Sequence, residues 1–270
     1  MEQLFRCWVL WLMSGFFATV AAETLTFGVV PQQSAVKLLR EWAPLLDAVS
    51  QKSGIELHFA TAPNIPTFEQ RVRDGVYDIA YMNPYHLTVF ADDPGYVPLV
   101  KAEHKVIKGI MVVRKDATLA QLDELDSQTL AFPAPGSFAA TLLTQASLTL
   151  KGVRFTSQYV GSHDAVYQAV AAGLYPAGGG IIRTFNLLES PIKDQLRILW
   201  TSPGYTPHAI AAHPRLTGEQ RQRLTDAFFQ LRHQPGIETI LAKLGMQGFV
   251  PADYADWDDV RALHIQPSGE

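Results

Sequence analysis

Ser137 lies in the run Pro135-Gly136-Ser137-Phe138-Ala139, a turn that leads into an amphipathic stretch, and this arrangement can hold an anion. The first turn of a helix carries N–H groups with no intrahelical acceptor and a partial positive potential, so it attracts an oxyanion, and a serine hydroxyl there adds a donor. The same serine can instead simply cap the helix. Catalytic chemistry has little to work with. No Gly-x-Ser-x-Gly elbow, His-Glu-x-x-His pair, phosphate-binding P-loop or Gly-x-Gly-x-x-Gly fingerprint occurs, and Gly178-Gly179-Gly180 lacks the context of an oxyanion loop. Those glycines read as a strand that lets other backbone approach. His208 and His213 are five apart in a strand-like segment and point to opposite faces. The sequence therefore reads as that of a binding protein, not an enzyme, and nothing in it requires a cofactor or a metal.

The elements that must position such a site alternate. Strands are expected at Thr24 to Val30, Ile55 to Ala60, Asp78 to Met82, Val97 to Lys101 and Lys108 to Val113, with helices at Ser34 to Lys52 and Thr67 to Asp74. The first helix shows a broad stripe of Val36, Leu38, Leu39, Trp42, Leu45, Leu46 and Val49. A short helical connection, Asp116 to Asp126, leads to a second set. Its strands are Thr129 to Phe132, Phe155 to Val160 and Gly178 to Ile182, and its helices Ser137 to Thr149, His163 to Ala172 and Thr184 to Leu188. Strands Leu196 to Trp200 and His208 to Ala212 precede helices Thr217 to Leu231, Ile237 to Leu244 and Asp253 to Leu263. Strand-helix alternation implies parallel sheets with crossover helices, and about ten strands are too many for one comfortable sheet, so two α/β lobes are expected. Open α/β sheets bind ligands beyond the carboxyl ends of their strands. That rule selects the loops Pro31 to Gln33, Thr61 to Thr67, Asn83 to Tyr85, Pro133 to Ala139 and Gly161 to His163, together with Arg183.

Met1 to Ala22 has a basic residue at Arg6, an uncharged run from Cys7 to Val20 and small residues at Val20 and Ala22, the layout of a secretory signal cleaved before Glu23. An uncleaved amino-terminal anchor is the other reading. Cys7 is the only cysteine and falls within that leader, so the mature chain carries no disulfide, cysteine nucleophile or thiolate metal site. The composition is 47% hydrophobic, ample for an ordinary core, and the formal net charge of −4 argues against nucleic acid as a partner. Nothing requires more than a monomer.

Four blocks taken in order resemble one family: Phe27-Gly28-Val29-Val30-Pro31-Gln32, Trp42-Ala43-Pro44-Leu45-Leu46, Asp78-Ile79-Ala80-Tyr81 and Ser162-His163-Asp164-Ala165-Val166. Their order and spacing resemble the phosphate-, phosphite- and phosphonate-binding proteins of ABC transporters, and the resemblance spans roughly Leu25 to Gly248. It implies an α/β, two-lobed type II periplasmic-binding-protein fold, each lobe a mixed sheet flanked by helices. Two hinge segments would cross between the lobes, placed here near Arg114 to Thr118 and Ser202 to Tyr205. Lobe one would then run from 23 to 115, lobe two from 116 to 203, and the return to lobe one with the C-terminal helices from 204 to 270. The implied role is periplasmic delivery of a small anionic solute to a transporter permease by hinge closure. The alternative is extracytoplasmic sensing through a separate membrane partner.

The resemblance also implies which residues touch ligand. Family members hold the phosphonate against three successive hydroxyl residues where this chain keeps Ser137 but has Phe138 and Ala139; the backbone N–H donors survive, two hydroxyls do not. His163 matches a family histidine at a helix start and either donates to the oxyanion or merely packs. Tyrosines of aminophosphonate-binding relatives fall near Ile65 and Met82, with Tyr81 and Tyr85 as substitutes or as packed aromatics. Two acidic positions that receive the ligand's ammonium in such relatives pair with Arg183 and His208. An arginine and a histidine do not attract an amine, so an anion without one is expected. Arg183 either grips a second negative group or is a solvated helix-start arginine. Gln32, Asn83 and Tyr205 complete the expected ligand-binding set.

Overall fold

The computed structural model describes residues 23–265. The expected leader, Met1 to Ala22, lies outside the described residues.

The alternation expected from the sequence is present in the first half of the chain. It runs β1 (Glu23–Val29), α1 (Ala35–Ser53), β2 (Ile55–Ala60), α2 (Ile65–Arg73), β3 (Ile79–Met82), α3 (Pro84–Phe90) and β4 (Val97–Ala102). The second set is β5 (Gly109–Arg114), β6 (Gln128–Phe132), α4 (Leu143–Leu150), β7 (Phe155–Tyr159), α5 (His163–Ala171), β8 (Ala177–Ile181), α6 (Ile182–Asn186), α7 (Ser190–Lys193) and β9 (Leu196–Thr201). The chain closes with β10 (Ala209–Ala212), α8 (Gly218–Gln230), α9 (Ile237–Lys243), β11 (Phe249–Pro251) and α10 (Asp258–Arg261).

Two sheets result, ordered β11-β4-β10-β3-β1-β2 and β7-β6-β8-β5-β9. In the first, β1 pairs in parallel with β2 and β3, whereas β10 runs antiparallel between β3 and β4. In the second, β6 is parallel to β7 and β8, and β5 is antiparallel to β8 and β9. Both sheets are therefore mixed. Strand period decides the second core: Ile110 and Val112 of β5 pack with Val166 and Val170 on one face, and Met111 and Val113 pack with Leu130 and Leu148 on the other.

The first crossing is not where the sequence reading put it. β4 belongs to the first sheet and β5 to the second, so the chain passes over at 103–108 and not at Arg114 to Thr118, and residues from Gly109 onward build the second lobe. The return occupies 202–208, between β9 and β10. The two passages are tied by an antiparallel bridge in which Ile107 donates to Tyr205 O at 2.8 Å and Tyr205 donates to Ile107 O at 3.0 Å.

Other departures have local causes. On α1 the buried stripe runs through Leu38, Trp42, Leu45, Leu46 and Val49, which leaves Val36 78% and Leu39 48% exposed and turns Glu41 inward at 8%. Asp116 to Asp126 is helical only as one 3₁₀ turn at Leu122–Leu125, and Asp253 to Leu263 reduces to a 3₁₀ turn followed by α10. The stretch from Asn83, read as a loop, starts α3 because the Asn83 side chain accepts from His86 N at 2.8 Å and Pro84 supplies a helix-ready φ.

The stretch from Ser137 begins with a π-helical turn, Phe138–Leu142, that runs straight into α4. A close approach explains its seat. A Cβ at Gly179 of β8 would collide with the carbonyl oxygen of Ala140, and one at Gly109 of β5 with that of Ala139. The glycine-rich strand thus lets the backbone of this turn lie directly on the second sheet.

Candidate ligand-binding site

The loops at the carboxyl ends of β1, β3, β6, β7 and β8 converge where the two lobes meet, and most of the expected residues lie there. Gln32 connects them. Its backbone carbonyl accepts from His163 N at 3.2 Å, its Oε1 accepts from Arg183 Nη2, and its Nε2 lies 2.8 Å from His208 Nε2. Because Arg183 only donates, the Gln32 oxygen must face it, so the Gln32 nitrogen donates to His208 and fixes Nε2 of that ring as an acceptor. His208 is then neutral, in keeping with a pKa held well below its ordinary value first by burial and then by the Arg183 charge. The Tyr81 ring stacks on His208 at 4.9 Å and meets Trp42 at 4.5 Å, so Tyr81 is a packed aromatic that also backs the histidine.

On the second lobe Ser137 occupies the cap position but makes no side-chain cap bond; its Oγ lies 3.4 Å from His163 Nε2. His163 is 1% exposed, and its Nδ1 is 3.3 Å from Thr184 Oγ1, which is 2.8 Å from the Tyr167 hydroxyl. Tyr167 in turn accepts from Ile181 N at 3.1 Å. This chain of hydroxyls anchors the imidazole. Burial, then the charge of Arg183, depresses the His163 pKa to about 3, so the ring is neutral at ordinary pH. The hydroxyl of Ser137, the imidazole of His163 and the first N–H groups of the turn at Phe138 and Ala139 make a donor-rich corner. The side chains of Phe138 and Ala139 are buried, and the Phe138 ring meets Tyr205 edge-on at 5.8 Å, so Tyr205 packs this turn against the return crossing.

Asn83 spans the lobes at another point, donating from Nδ2 to Gly136 O at 2.9 Å. Behind it His86 lies 2.8 Å from Glu69 Oε1, and that carboxylate packs so close to Gly136 that a Cβ there would collide with it. Tyr85 is buried on α3 beside His86, with ring centroids 6.4 Å apart.

Arg183 is the electrostatic centre. Its charge lowers the pKa of His163, His208 and Lys105 and opposes the upward push of burial on Glu41 and Asp164. Its Nε and Nη1 are buried with no hydrogen-bond partner among the described residues. Next to it lies a cavity of about 310 Å³ lined by Tyr81, Lys105, Lys108, Arg183, His208 and Met246, among others. The sequence reading missed Lys105 and Lys108 because it placed the crossing too late; the correct crossing, 103–108, contains both. Thr184 was missed as well, and the hydroxyl directly after Arg183 was its signal. Gln33, whose buried carboxamide has neither nitrogen nor oxygen paired among the described residues, lay inside a selected loop beside Gln32.

Comparison with known proteins places this geometry. The family described as the periplasmic phosphonate substrate-binding protein of ABC transporters matches residues 27–257. The phosphonates-binding periplasmic protein of Escherichia coli K12 is 22% identical over 260 residues, covering 88% of this chain and 75% of that protein. A binding protein component of an ABC phosphonate transporter from Pseudomonas aeruginosa superposes with a TM-score of 0.83 at 20% identity, covering 90% of this chain and 86% of the other. PhnD1 of Prochlorococcus marinus, solved with methylphosphonate, superposes at 0.82 with 19% identity, covering 90% and 97%. The two mixed sheets joined by paired crossings are the type II periplasmic binding fold, and the chain belongs to the phosphonate-binding periplasmic proteins of ABC transporters, which bind a substrate without transforming it.

Proposed function

We propose that this protein carries a phosphonate-class oxyanion without an amine, phosphite and phosphate included, to its transporter permease from the periplasm as a monomer exported by a cleaved signal. The observation that carries this reading is the chemistry at Arg183 and His208. A guanidinium with two buried, unpaired nitrogens and a neutral imidazole stand at the two positions that, by the family resemblance, receive an ammonium group on carboxylates in aminophosphonate-binding relatives. Ser137, His163 and the N–H groups at Phe138 and Ala139 receive the oxyanion, whose full charge strengthens each of those hydrogen bonds. Gln32 and Asn83 couple that contact to lobe closure, since both already reach across the cleft. Tyr81, Tyr85 and Tyr205 shape the walls.

The test is a thermal-shift panel on the chain from Glu23, with hits confirmed by calorimetry, because a ligand that binds only the folded form raises the melting temperature. Phosphite, phosphate or methylphosphonate should give clear shifts and 2-aminoethylphosphonate a smaller one. Tighter binding of 2-aminoethylphosphonate than of all three would overturn the reading.

A further inference from the structure

Three cations border the cavity beside the first crossing, Lys105 and Lys108 from the crossing itself and Arg183 from α6. None of them forms an ion pair among the described residues. Burying unpaired positive charge is costly, and a protein resolves that cost by losing a proton or by finding an anion. Lys105 has gone part of the way, since burial and the like charge of Arg183 bring its pKa to about 8. Arg183 has two of its three nitrogens buried without partners among the described residues. Glu41 and Asp164 feel Arg183, but they sit on α1 and α5 outside the cavity, whose own lining holds no carboxylate.

We infer that this cavity takes a second anionic group of the ligand, so that the preferred solute is a phosphonate carrying a carboxylate at the far end of a short carbon chain. The inference rests on the oxyanion reading above. A carboxylate can accept a charge-assisted hydrogen bond from Nη1 or Nε of Arg183, which lie on opposite sides of the guanidinium while Nη2 is held by Gln32, and a second from an ammonium on the crossing. The apolar part of the lining, with Ile107, Ile181 and Met246, suits the connecting methylenes. Placement on the crossing also gives the second charge a role in closure, because Lys105 and Lys108 lie on the segment that links the lobes and Arg183 lies on lobe two.

The test is calorimetry on the chain from Glu23 with matched pairs: methylphosphonate against phosphonoacetate, and ethylphosphonate against 3-phosphonopropionate. Each charge-assisted contact supports roughly a tenfold gain, so at least one carboxylated member should bind about tenfold or more tightly than its partner. That ratio should fall below about threefold in both Arg183→Met and Lys105→Met. If Arg183→Met does not fold, Lys108→Met, an exposed position, takes its place beside Lys105→Met. Equal or weaker binding of the carboxylated members, with the alkylphosphonates still bound, would overturn the second-anion inference and leave the oxyanion reading standing. A ratio that survives in the variants would overturn the assignment to this cavity. Failure of every phosphonate, phosphite and phosphate to bind would overturn both.

Discussion

His163 shows how a single buried group ties the site to stability. Its folded pKa, about 3, lies below the ordinary value of 6.5, so between those limits the unfolded chain binds more protons than the folded one. Its contribution is complete above about pH 7.5 and is lost as the pH falls, by on the order of 2 kcal/mol at about pH 5. His208 acts in the same direction, whereas Glu41 and Asp164, whose pKa values are raised, act in the opposite one. The comparison that isolates the histidine is therefore wild type against His163→Gln, by urea unfolding at both pH values. The variant should gain roughly 2 kcal/mol relative to wild type on acidification. An unchanged difference would mean that the ring is solvated or already charged. Ser137, His163 and Arg183 could be singled out as candidates because loops beyond parallel strands are few and their polar residues fewer. Which partner each one takes was not legible: the Gln32 carboxamide between Arg183 and His208 joins residues 151 and 176 positions away, and no local pattern encodes such a meeting.

Elements were legible where periodicity was strong and less so where the backbone itself does the packing. The strands of both sheets except β11 could be read from the sequence, but the π-helical turn at Phe138–Leu142 could not, since its seat depends on Gly109 and Gly179, 30 and 39 residues from the carbonyls they meet. Gly179 makes that dependence measurable. A methyl group there meets the Ala140 carbonyl oxygen and also the Phe132 ring at 2.8 Å, and the carbonyl cannot move without lifting the turn from the sheet. Gly179→Ala should therefore cost about 3 kcal/mol or more in urea unfolding and weaken oxyanion binding together. Gly218→Ala is the matched control: it lies at the exposed start of α8 with nothing within 4 Å of the added methyl, and its stability should stay within about 1 kcal/mol of wild type. Similar losses in both would refute the close-approach argument.

At the scale of the whole molecule the lobes are closed upon each other. The Asn83 amide donates to Gly136, His163 N–H donates to Gln32, and Lys37 Nζ donates to Leu187 O at 3.1 Å, each contact joining one lobe to the other. The first core also continues across the cleft through Phe138, Ala139 and Ile181. Sequence reading foresaw two lobes but misplaced the first crossing, because a strand's apolar pattern says that it is a strand and not which sheet it joins. Closure is an equilibrium, and a ligand shifts it only through its preference for the closed form, so loss of a ligand-independent bridge should open the free protein and lower affinity by the same free energy. Asn83→Asp tests this without dismantling α3. The new carboxylate keeps the oxygen that accepts from His86 N, but replaces the donor that faces Gly136 O with a second acceptor near Glu69. Small-angle scattering should show a larger radius of gyration for the ligand-free variant, recovered at saturating ligand, while calorimetry shows a loss of affinity of about tenfold. Helix content should be unchanged by circular dichroism. An unaltered radius with unaltered affinity would mean that Asn83 bridges the lobes without biasing their closure, and that the other cross-lobe contacts, at Gln32, Lys37 and the shared core, set the equilibrium.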